Sequence, residues 1–135
     1  MKFDEADLKT IFAHAQAALI GDRAFNDGLE TTTEESAVLV DWIFTEIGVL
    51  INIDQRWGLY DSAGKPSLAN ILSNFKTAAE AVEGLDNVTG RHLGEVAAAA
   101  ADLQSGAARQ KAERHIHDVL AVEQAVVDYL RSRSP

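Results

Sequence analysis

The chain contains no cysteine, and only two of its 135 residues are proline. The first absence excludes disulfides, thiolate metal sites and cysteine nucleophiles, and it suits a reducing compartment. The second leaves long helices unbroken, because Pro66 and Pro135 lie outside every long apolar pattern. Alternation of polar and apolar residues over useful lengths is also missing, so strands are not expected. No apolar segment offers the roughly 20 residues that a bilayer crossing needs. The greasiest one, Ala37 to Ile53, still carries Asp41, Thr45, Glu46 and Asn52. The opening residues are acidic and unlike a secretory leader. A cytoplasmic protein is the expectation.

Positive charge is scarce in the first half. Residues 1–62 hold twelve acids against four bases, whereas residues 63–135 hold nine against eight, giving a net charge of −9. Nucleic acid and anionic membranes require clustered Lys and Arg, so neither is an expected partner. The acidity favours instead a protein partner with a basic surface. Also missing are a Gly-rich phosphate loop, a zincin His pair and a Gly-x-Ser-x-Gly elbow. Without these no enzyme activity is indicated.

Hydrophobic residues make up 47% of the chain and charged residues 24%, which is globular composition sufficient for one domain spanning 1–135. Leu8, Ile11, Phe12, Ala15 and Leu19 recur at three- and four-residue spacing and predict a helix from Asp4 to about Ile20, stopped at Gly21-Asp22. Thr31 to Glu35 forms a helix start signal, and the helix that follows should run to about Trp57. Apolar residues cover most of its circumference, which predicts either a central helix or one paired with a second subunit. Further helices are predicted over Ser67 to Glu83 (closed by Gly84), over Val88 to Leu103, and from Ser105-Gly106 to Arg131. The fold class is therefore all-α, an antiparallel bundle of four long helices plus an additional N-terminal helix.

Polar residues inside apolar stripes carry the functional reading. On helical wheels Glu46, His92, Glu123 and Arg109 fall among aliphatic neighbours. A carboxylate in a core has to be paired, protonated or bound to metal. Glu46, His92 and Glu123 are thus candidate ligands of a divalent metal, with His115 or His14 flanking them. The run from Arg114 to His117 reads as an exposed basic patch, because His115 and His117 point about 200° apart on a helix. Trp42, Trp57 and Tyr60 are candidate interaction residues, since aromatics are favoured in binding hot spots. Two functions follow as expectations. One is an acidic interaction module, homodimeric through the second helix and needing no cofactor; the other is a metal- or small-ligand-binding bundle.

Overall fold

The computed structural model describes residues 2–55 and 68–133, and its regular structure there is entirely helical. The elements are α1 (Glu5–Asp27), α2 (Thr33–Gln55), α3 (Leu68–Leu72), α4 (Ala78–Ala101) and α5 (Gly106–Ser132). Helices α1, α2, α4 and α5 form a ring in which α1 packs on α2 and α5, and α4 packs on α2 and α5. Neighbours run antiparallel. The core lies between them and is built from aliphatic side chains such as Ile11, Leu19, Ile43, Leu85, Val122 and Leu130, all almost fully buried. No helix among the described residues is long and apolar enough to cross a membrane.

The all-α bundle agrees with the pattern of the sequence, but three boundaries differ. First, α1 passes through Gly21-Asp22 and ends at Gly28, whose left-handed φ of 64° and N–H to the Ala24 carbonyl close the helix. A glycine inside a helix costs roughly 1 kcal/mol. The added turns offset it by bringing Asp22, Arg23 and Asp27 against α5, where they pair with Arg114 and Asp118. The N-terminal helix is thus one of the four long ones.

Second, the extra helix is the short α3. It stops because Ser73 Oγ and Asn74 Nδ2 donate back to the carbonyls of Ala69 and Asn70. A new helix then starts at Thr77, whose hydroxyl accepts from Glu80 N while the Glu80 carboxylate accepts from Lys76 N. Third, α4 runs without interruption past Gly84. That glycine is a close-approach position, because a Cβ there would lie 2.7 Å from Cζ of the buried Phe75 ring. The alanine run at the end of α4 is mostly exposed and serves helix formation rather than packing.

The other helix starts follow from their caps. Asp4 and Asp7 exchange side-chain and backbone bonds at the head of α1, Thr32 and Glu35 do so at α2, and Ser105 caps α5. The predicted interaction residues Trp57 and Tyr60 lie outside the described residues.

Glycines on α4 offer a test with opposite signs. Gly84→Ala should lower stability by about 1–3 kcal/mol, because the buried Phe75 ring must move. Gly90→Ala and Gly94→Ala, which meet nothing within 4 Å, should each raise it by up to about 1 kcal/mol. Thermal melts of the three variants check this.

Candidate metal centre

Three helices each turn one polar side chain toward the same point. Glu46 stands on α2 between Ile43 and Ile47, which are buried. His92 lies on the inward side of α4, one turn beyond the buried Thr89. His115 lies on α5 four residues before the buried Val119. His92 Nε2 is 2.9 Å from Glu46 Oε1 and 3.1 Å from His115 Nε2. The three potential ligand atoms all lie within 4.8 Å of one another. Side-chain exposure is 15% for His92 and 24% for Glu46, so the group sits just inside the surface rather than in bulk water. Trp42, half-exposed on α2, closes one side with its ring edge-on to His115 at 5.1 Å between centroids.

The hydrogen-bonding of this group does not close on itself. An imidazole nitrogen has one in-plane direction, occupied by either a hydrogen or a lone pair. His92 Nε2 faces two polar atoms at bonding distance and serves only one of them. If it donates to Glu46, the His115 nitrogen is left facing it without a bond. If it accepts from His115, its lone pair opposes that of the carboxylate. Glu46 Oε2 adds to the deficit, being buried with no partner, a situation that native interiors rarely tolerate. A cation among the three atoms satisfies all of them at once. Tetrahedral bonds of about 2.0–2.1 Å to nitrogen and oxygen imply ligand–ligand edges of about 3.3 Å, close to the two separations from His92 Nε2.

Burial holds the His115 imidazolium below its usual range, with Glu46 opposing that effect and His92 reinforcing it. This favours the neutral form that metals bind. The donor set, two imidazoles and one carboxylate without thiolate, suits zinc or iron(II).

Glu123, grouped with Glu46 and His92 on the sequence, stands elsewhere. It lies eight residues beyond His115 on α5, about 12 Å along the helix axis, and it faces Asp86 of α4. Its side chain is buried, and desolvation together with the hydrogen bond and charge of Asp86 pushes its pKa up to about 8. The pair therefore holds a proton at neutral pH. The inward position of Glu123 was legible, but its partner was not, because Asp86 sits at the exposed margin of its helix. His14 is exposed with its ring edge-on to Tyr129, and Arg109 is exposed near the start of α5. Neither joins the centre.

The run from Arg114 to His117 is not an exposed basic patch. Arg114 is largely enclosed and pairs with Asp22, Asp27 and Asp118, His115 belongs to the centre, and only His117 is exposed. Opposite directions for His115 and His117 are what put one inside and one outside. Asp118, itself buried, accepts from Arg23 Nε at 3.1 Å and Nη2 at 2.7 Å, and from Arg114 Nε at 3.2 Å. Nothing in the linear sequence singles it out, because its two arginine partners come from a helix turn that Gly21 masks and from its own helix.

The Glu123 proton has a measurable consequence. A carboxyl whose pKa is raised on folding contributes stability that is full below its unfolded value of about 4.5 and is lost as pH rises through about 8. Glu123→Gln, which keeps the hydrogen bond without the proton, should flatten the decline in melting temperature between those limits. At pH 8.5 it should melt at a higher temperature than the wild type. Equal pH profiles for the two proteins would rule out the shared proton.

No protein-family model matches this chain, and no curated protein or solved structure is significantly similar to it.

Proposed function

We propose that this bundle is a metal-binding protein with Glu46, His92 and His115 as its ligands, holding one divalent transition-metal ion per chain. The observation that carries the reading is the convergence of Glu46 Oε1 and His115 Nε2 on the single nitrogen of His92. The buried, unpartnered second oxygen of Glu46 adds to it. Three protein ligands leave at least one coordination position open, which is the arrangement of reactive rather than purely structural zinc sites. An ion there would act as a Lewis acid and lower the pKa of a bound water. The residues' own part is to fix the ligand positions from three helices, to favour a neutral His115 and to limit access past Trp42.

Thr89 extends the polar interior. Its hydroxyl is buried without a partner, one turn before His92 on the same face of α4.

Calorimetric titration of chelator-treated protein with Zn²⁺ and, under anaerobic conditions, Fe²⁺ tests the reading. The expected result is one ion per chain, with affinity reduced at least tenfold in Glu46→Gln, His92→Ala and His115→Ala. His117→Ala and Glu123→Gln should bind as the wild type does. Because the ion displaces protons, affinity should fall as the pH is lowered through the histidine range. Binding that survives in all three ligand variants would refute the assignment.

A further inference from the structure

We infer that the outer face of α2 is a docking surface for a basic amphipathic helix of a partner protein. Val38, Trp42, Thr45 and Val49 follow one another at spacings of four, three and four residues and so share one face. Val38 is 69% exposed, Trp42 50% and Val49 36%. Thr45 lies in the same row, and its hydroxyl donates to the Asp41 carbonyl at 2.9 Å, so its polarity is satisfied within the helix. Scattered exposed apolar residues mean little, but a continuous row containing a half-exposed tryptophan is hot-spot chemistry.

Charge identifies the occupant. Residues 24–55 contain seven acids and neither Lys nor Arg. Glu34, Glu35 and Asp41 stand exposed beside the apolar row. A second copy pairing two-fold through this face would present the same acidic surface and supply no positive charge to it. A partner that covers the row must bring that charge itself.

The groove beside the row fits a basic side chain in particular. Arg23, Glu34, Glu35, Val38 and Leu39 line a depression of about 510 Å³ between α1 and α2. Arg23 is already committed to Asp118 and the Glu35 carboxylate caps Thr32, so Glu34 is the acid left to an incoming group, with the charge of Glu35 beside it. Val38 and Leu39 suit the aliphatic stem of a Lys or Arg, and Glu34 with Glu35 suit its charged head. An amphipathic helix with apolar residues at i, i+4 and i+7 and Lys or Arg along one edge satisfies both features.

The probe is a synthetic 18-residue helix of Leu and Lys in an amphipathic pattern, compared with its Leu/Glu counterpart, at 0.15 M salt. The full chain carrying Trp57→Phe leaves Trp42 as the sole tryptophan reporter. The Leu/Lys helix should bind with a blue shift of Trp42 emission, and the Leu/Glu helix should not. Val38→Ser with Val49→Ser should weaken binding at least tenfold. Glu34→Lys with Asp41→Lys should do the same, while the equal charge change in Glu83→Lys with Glu95→Lys on α4 should alter it less than twofold. Circular dichroism confirms that each variant folds. Equal losses from the two charge-reversal pairs would reduce the effect to diffuse attraction and overturn the proposal. A dimer in sedimentation that dissociates in the valine variant would overturn it too, by making a second copy the occupant.

Discussion

A carboxylate withdrawn from water has to be met by a cation, a proton or a metal, and this bundle is organised around three such groups. Asp118 is met by Arg23 and Arg114. Glu123 is met by a proton shared with Asp86. Glu46 is met on one oxygen by His92, while its other oxygen is buried without a partner. The first two are closed chemistries that contribute to folding. The third leaves one carboxylate oxygen unmet, and on that difference the proposed binding site rests. Breaking a buried pair by removing one partner costs about 3–5 kcal/mol, so each group also constrains the helices that supply its compensation.

The fold places the centre by way of Asp118. Arg23 and Arg114 hold α1 to α5 through that carboxylate, and Asp22 and Asp27 add a second and third acid on Arg114. At the opposite end of the same helix pair Tyr129 donates to Asp7 at 2.6 Å, and Arg133 pairs with Asp7 and lies over the Phe3 ring. With both ends fixed, α5 cannot slide along α1. His115, three residues from Asp118 on the same helix, is therefore held in register with it. Its level relative to His92 is set by the α4–α5 hairpin, whose two helices are joined by only the four residues between Ala101 and Gly106.

Much of this was legible along the chain and some was not, for identifiable reasons. Apolar periodicity marks helices well when the buried stripe is regular, as in α5, whose start at Ser105-Gly106 and end near Arg131 agree with the structure. It misplaces breaks when a stripe continues across one, as it does from Leu68 through Val82. There the side-chain bonds of Ser73 and Thr77 end one helix and begin the next. Glycine misled twice, because Gly21 and Gly84 are accommodated by tertiary contacts that no local rule contains. The inward placement of Glu46, His92 and Glu123 on their wheels was sound, since each is at least partly buried. A wheel reports the direction of a residue but not its level along the bundle. It therefore grouped Glu123 with Glu46 and His92, and left His115, the residue at the right level, in a flanking role.

The acid pair and the proposed metal site would respond to pH in opposite senses. The Asp86–Glu123 proton is lost as pH rises, so its contribution to stability declines from mildly acid to mildly alkaline solution. A metal held by Glu46, His92 and His115 competes with protons, so its contribution rises over the same range. Both lie between α4 and α5, Asp86 facing Glu123 and His92 facing His115. A bundle carrying only the acid pair would weaken steadily with alkalinity, and one carrying only the metal would weaken with acidity. On one helix pair, an ion bound at the proposed site would offset the first decline with a gain of opposite pH dependence.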